Sequence, residues 1–193
     1  AYEMSASLVG SEMCMRDRGN EANNKCHYKG TVMSALVPDV MEINVDGTGK
    51  GFTMEIWADS LDILSVSIES PSGEYVPRIP ARMGASMEYT FLYEGSTVTV
   101  DYQITENVAG MEVIFVRLKT PVEGTWKFYI YSLTNIKGSY NAWLPLKQFS
   151  GQDIYFLKSD PDTTLTVPAA ADGVISVGAY NHYTCLLYTS DAA

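Results

Sequence analysis

Met41-Glu42-Ile43-Asn44-Val45-Asp46-Gly47 decides the fold. Met41, Ile43 and Val45 alternate with Glu42, Asn44 and Asp46, and Asp46-Gly47 then supplies a turn. Side chains of a strand point alternately to its two faces, so this pattern predicts one face in a core and the other in water. The pattern recurs down the chain. Phe52, Met54 and Ile56 alternate with Thr53, Glu55 and Trp57. Leu64, Val66 and Ile68 alternate with Ser65, Ser67 and Glu69, and Pro71-Ser72-Gly73 ends that run. Further strands are predicted at Tyr89–Tyr93, Thr97–Thr105, Met111–Lys119, Thr125–Ser132 and Tyr140–Leu146. About eight short antiparallel strands, punctuated by glycine and proline, predict a mainly β fold, a jelly-roll-like β-sandwich over residues 31–147.

Outside that region the character changes. Asp153-Ile154-Tyr155-Phe156-Leu157 reads as one more strand. Val174-Ile175-Ser176-Val177-Gly178-Ala179 is apolar without alternation, as expected of a strand buried on both faces of a parallel sheet. Upstream, Gly19-Asn20-Glu21-Ala22-Asn23-Asn24 crowds small and amide residues. That composition predicts a tight loop from which a neutral carboxamide donor projects. A sandwich flanked by parts of an α/β domain accounts for both kinds of sheet.

The two ends are expected to be foreign to the protein. Cys185-Leu186-Leu187-Tyr188-Thr189-Ser190-Asp191-Ala192-Ala193 resembles one reading frame of a transposase sequencing adapter, as TGTCTCTTATACACATCTGACGCTGCC translates to that string. Leu8–Arg18 resembles the companion adapter in the opposite sense, with Met15 where that frame gives isoleucine. Residues 1–18 and 184–193 are therefore set aside from fold reasoning. Of the 193 residues, the remainder keeps an acidic balance: 19 acidic and 11 basic side chains, net −8, against −10 for the whole chain. Acidity argues against nucleic acid as a partner. No apolar run approaches the roughly 20 residues that span a bilayer. Only Cys26 of the three cysteines lies outside the adapter segments, so neither an intrachain disulfide nor a thiolate metal site is expected.

Gly19-Asn20-Glu21, followed later by Leu165-Thr166-Val167-Pro168-Ala169 and by the Val174–Ala179 run, resembles subtilisin-like serine proteases (peptidase S8 family). The wide separation of these landmarks is similar to a germination-protease-like subgroup with an inserted jelly-roll domain. The resemblance implies an oxyanion-loop remnant at 19–30, the jelly-roll insert at 31–147 and a core-strand remnant of an α/β domain at 148–183. It implies that Asn20 donates a hydrogen bond to the oxyanion of an acyl-transfer intermediate, and that the Val167-Pro168 peptide bond is cis. It implies a peptide or protein substrate for the parent, and no cofactor. The family's aspartate and histidine precede the asparagine and its serine follows the Val-Gly-Ala strand. All three positions fall beyond the adapter junctions, so this fragment of a serine endopeptidase is expected to be inactive.

Other chemistry-bearing residues receive plainer readings. Gly84-Ala85-Ser86-Met87 superficially resembles a subtilisin nucleophile segment, but Glu88-Tyr89-Thr90-Phe91 after it reads as a strand and not a helix. His27 is expected as a polar loop residue, Cys26 as a small buried one, and Asp160, Asp162 and Asp172 as a solvated acidic loop without metal-ligand spacing. Trp126 shares parity with Phe128 and Ile130 and is expected in the core; Tyr129 and Tyr131 share the other face with Lys127. Such aromatics support an alternative of another class: a non-catalytic β-sandwich binding module for carbohydrate or protein.

Overall fold

Period-two sequence becomes two antiparallel sheets laid face to face. The computed structural model describes residues 15–17, 24–47, 49–58, 63–104, 111–133, 138–145, 153–162 and 175–177. Contacts divide the chain into two units, residues 24–162 and the combination of 1–23 with 163–193.

In the second of these units β1 (Met15–Asp17) pairs in parallel with β13 (Ile175–Val177). Met15 stands opposite Ile175 and Asp17 opposite Val177. The parallel pairing of 175–177 agrees with its unalternating apolar sequence. Its partner strand lies in the segment set aside as adapter-derived. Asn20 and Pro168 lie outside the described residues.

The 24–162 unit holds the sandwich. Its strands are β2 (His27–Val32), β3 (Asp39–Asp46), β4 (Gly51–Ala58), β5 (Leu64–Glu69), β6 (Tyr75–Ile79), β7 (Ser86–Thr90), β8 (Thr97–Ile104), β9 (Glu112–Lys119), β10 (Gly124–Ser132), β11 (Gly138–Trp143) and β12 (Asp153–Phe156). One sheet has the order β12-β3-β10-β5-β6, the other β2-β11-β4-β9-β8-β7, and every pairing within them is antiparallel. No α-helix occurs among the described residues.

The core lies between the sheets. Met41, Ile43 and Val45 of β3 and Trp126, Phe128 and Ile130 of β10 are fully buried, facing Met54 and Ile56 of β4 and Ile114 and Val116 of β9. Trp126 donates its indole N–H to the Val122 carbonyl (3.1 Å) and meets Phe91 edge-on at 5.1 Å. A buried indole thereby keeps its one polar group paired.

The structure departs from the sequence expectation at definite places. β2 and β12, placed by sequence in the flanking segments 19–30 and 148–183, are strands of the sandwich. β2 contains Gly30, whose missing side chain makes room: a Cβ there would overlap the Tyr140 ring and the Asp39 carboxylate. β6 carries Pro77, which an edge strand tolerates because its outer side needs no ladder hydrogen bond. The strand expected at Tyr89–Tyr93 runs instead over Ser86–Thr90. There the chain turns at Leu92–Glu94, closed by Phe91 N–H to Ser96 O (2.8 Å) and Gly95 N–H to Phe91 O (2.9 Å). The Glu74 carboxylate holds that turn by accepting from the Leu92 and Tyr93 amides (2.9 and 3.1 Å).

The sheets are also tied by a polar pin. Asp39 Oδ2 of β3 accepts from the Tyr28 hydroxyl of β2 (3.0 Å) and the Tyr140 hydroxyl of β11 (2.8 Å). Both phenols are held in the neutral form, their pKa values raised first by burial and then by the charge of Asp39.

Candidate functional site

The two ends of the sandwich differ in what they carry. The chain enters at Asn24 and leaves at Asp162 at the same end. There Phe156 N–H donates to Lys25 O (2.9 Å) and Asp160 N–H to His27 O (2.9 Å). His27 is at the centre of this closure. It is fully buried on β2 and stacks on Trp143 at 5.0 Å, contrary to the polar loop expected. Its Nδ1–H donates to the Asp160 carbonyl (3.1 Å) and its Nε2 meets the Asn141 side-chain amide (3.0 Å). The Asn141 atom facing Nε2 is Oδ1; with the amide turned over, its NH2 would donate to Nε2 of the neutral ring. Nδ1 thus ties β2 to the segment that leaves the unit, and Nε2 contacts the neighbouring strand β11.

Ser86 has no access to that imidazole. It starts β7, at one edge of the six-stranded sheet, while His27 is on β2 at the other edge. Five inter-strand steps separate them, about 24 Å at about 4.8 Å per step. Of the loop acids, Asp160 Oδ1 accepts the Asp162 amide (2.9 Å) and Asp172 lies outside the described residues; no cluster of potential metal ligands occurs among the described residues. Cys26 is buried in the core, as expected.

The outer face of the five-stranded sheet is chemically richer. Lys127 and Tyr129 converge from β10 on Glu69 of β5; Lys127 Nζ lies 3.1 Å from Oε1, and the Tyr129 hydroxyl donates to Oε2. The Tyr129 hydrogen bond, then Lys127, hold the Glu69 carboxyl below its ordinary range, while the same hydrogen bond pushes Tyr129 up to about 12. Tyr75 meets Tyr129 edge-on at 5.9 Å. Beside them the Arg78 guanidinium lies over the Tyr131 ring at 4.8 Å and donates from Nε to Ser65 Oγ (2.5 Å). Burial, then a hydrogen bond with Tyr75, raise the Tyr131 pKa. Next to Arg78 opens a cavity of about 250 Å³ lined by Ser65, Arg78, Pro80, Ala81 and Leu133.

The parity of Lys127, Tyr129 and Tyr131 made this face visible in the sequence, but the cavity was not. Its walls come from β5, β6, the residues after β6 and the end of β10, which only the sheet order brings together. Pro77 within Tyr75-Val76-Pro77-Arg78-Ile79 was the available signal for an edge strand there. Among the described residues the arrangement offers recognition by stacking, charge and apolar contact.

No family model matches the chain, and neither does any curated protein. Among solved structures, the Clostridium perfringens CspB protease superposes with a TM-score of 0.74 at 23% sequence identity. The match covers 91% of this chain and 36% of the protease, so the chain spans about a third of that protein's length. This chain has the fold of one part of the CspB protease.

Proposed function

We propose that the chain is part of a larger subtilisin-like serine endopeptidase: a jelly-roll insert, the unit of residues 24–162, flanked on both sides in sequence by pieces of the α/β domain. The observation that carries this is the fold match, which takes in 91% of this chain and only 36% of the protease. The unalternating apolar sequence of β13 (Ile175–Val177) supports it, since the resemblance calls for a core strand there.

In the complete enzyme a serine attacks the scissile carbonyl while a histidine accepts its proton and an aspartate orients the imidazole. Negative charge develops on the carbonyl oxygen, and the Asn20 carboxamide donates to it. Removing such a donor costs about 2.7–4 kcal/mol of barrier, a magnitude known from subtilisin itself. On this reading the three triad residues belong to the rest of the parent, and the 193-residue chain alone should not hydrolyse peptides. A binding-module function draws its support from the tyrosine–arginine face and its cavity.

The test is expression of the complete parent protein. It should take a fluorophosphonate label at one serine and cleave peptide substrates. Asn20→Ala should lower kcat by about 10²–10³-fold with little change in KM. Failure of the parent to label, or peptide hydrolysis by the 193-residue chain alone, would overturn the proposal.

A further inference from the structure

Open sheets leave unpaired backbone groups along their outermost strands, which here are β12 and β6 in one sheet, β2 and β7 in the other. Three of the four are guarded. Pro77 removes a donor from β6. β2 and β12 are laced together, Phe156 of β12 donating to Lys25 O and Asp160 donating to His27 O of β2 (both 2.9 Å). β7 (Ser86–Thr90) holds no proline, and its register with β8 runs without a bulge.

The direction of its free groups follows from the turn that joins it to β8. Phe91 N–H donates to Ser96 O (2.8 Å), which makes 91 and 96 a directly bonded pair. Bonded and non-bonded pairs alternate along an antiparallel ladder. Tyr89 with Val98 and Met87 with Val100 are therefore the bonded pairs, and Ser86, Glu88 and Thr90 turn their N–H and C=O groups away from β8. No described residue meets those groups, and all three residues are exposed. Met87 and Tyr89 lean on the core but stay half-buried, the Tyr89 hydroxyl donating to Met87 Sδ (3.9 Å). Glu88 is the one charged side chain of β7. Its Oε2 is met by Thr99 Oγ1 (3.3 Å) and Lys119 Nζ (3.4 Å), an exposed pair that contributes little, and its Oε1 meets no described residue.

We infer that β7 takes an added antiparallel strand: an extended segment of another protein, with a lysine or arginine opposite Glu88 and apolar residues on either side of it. Such a strand pairs its own N–H and C=O groups with those that Ser86, Glu88 and Thr90 leave open. Residues directly opposite share a sheet face, so the basic side chain lies beside the Glu88 carboxylate and its two neighbours cover Met87 and Tyr89. A second copy of this chain, paired in full register about a two-fold axis, would set Glu88 against its own counterpart; like charges directly opposite are destabilising. The net charge of −10 adds a field that favours a basic segment. The inference stands whether or not the parent is a protease, because it rests on the unit of residues 24–162 alone.

The experiment uses the whole 193-residue chain and a fluorescein-labelled, end-blocked peptide, Ser-Thr-Val-Lys-Val-Thr-Ser, with binding read by anisotropy up to about 1 mM. The expected result is saturable binding, at least tenfold weaker when Glu replaces the central Lys. N-methylation of that Lys removes the amide that donates to Glu88 O and should weaken binding at least tenfold. N-methylation of the Val after it, whose amide points away from β7, should change binding less than threefold. In the protein, Glu88→Lys should reverse the preference between the Lys and Glu peptides. Thr90→Pro, which removes an outward N–H and no bond to β8, should weaken binding at least tenfold. Circular dichroism checks that both variants are folded, and the peptide variants carry the test should either fail. No saturable binding, equal binding of the Lys and Glu peptides, equal loss from the two N-methyl peptides, or a dimer of the chain abolished by Thr90→Pro would overturn the inference.

Discussion

Replacing Asp39 with asparagine tests the pin that joins the two sheets. Asp39 Oδ2 accepts from Tyr28 (3.0 Å) and Tyr140 (2.8 Å), and those rings are 8% and 0% exposed. Asparagine preserves the shape and a carbonyl oxygen but removes the charge. A hydrogen bond to a charged group contributes about 1.5–3 kcal/mol and a neutral one about 0.5–1.5, so each of the two bonds loses roughly 1 kcal/mol. Asp39→Asn should therefore destabilise the sandwich by about 2 kcal/mol. Asp39→Ala should cost more, about 2–6 kcal/mol, because both buried hydroxyls are left without an acceptor. Urea denaturation followed by tryptophan fluorescence measures both. The control is the same substitution in a Tyr28→Phe/Tyr140→Phe background, where no hydroxyl remains to be paired and the cost of Asp39→Asn should fall below about 0.5 kcal/mol. An unchanged cost in that background would show that Asp39 acts through something other than the two tyrosines.

Gly30→Ala should destabilise by at least about 1–3 kcal/mol and shift the tyrosine near-ultraviolet dichroism, because the added methyl overlaps the Tyr140 ring and Asp39; a stability within 0.5 kcal/mol of the parent would contradict the packing. Alkaline pH should unfold the sandwich. Burial raises the pKa values of Tyr102 and Tyr140 above their unfolded values near 10, so their contribution is complete below about pH 10 and is lost as pH rises above it. The slope reaches about 2.7 kcal/mol per pH unit for the two. Urea midpoints measured between about pH 9 and 12, with tyrosinate absorbance alongside, check this; a flat profile would refute it. Ser86→Ala should leave stability within about 0.5 kcal/mol and reactivity toward a fluorophosphonate unchanged, since Ser86 is an exposed edge-strand residue remote from His27.

Much of the sandwich was legible because period-two alternation reports burial directly. β3, β4, β5, β8, β9 and β10 follow their apolar parity, and Trp126 takes the core position its neighbours Phe128 and Ile130 imply. What escaped was set by partners distant in sequence. Gly30 disguises β2 until the Tyr140 ring that occupies its side-chain space is known. Pro77 disguises β6 until the sheet order makes it an edge. His27 reads as a polar loop residue until Asp160, 133 positions away, satisfies its Nδ1–H. The cavity was illegible for the same reason, since three separate stretches of sequence build its wall. The motifs naming a protease, by contrast, are local strings, and Asn20 and Pro168 lie outside the described residues.

The central claim, that this chain is cut from a subtilisin-like endopeptidase, is tested most directly by reading the uninterrupted parent gene across both junctions. The account predicts a serine segment of the Gly-Thr-Ser-Met-Ala type downstream of Tyr183. It also predicts Asp-Ser/Thr-Gly and His-Gly-Thr segments upstream of Gly19, with native sequence in place of residues 1–18 and 184–193. A continuous frame that lacks all three segments would contradict it.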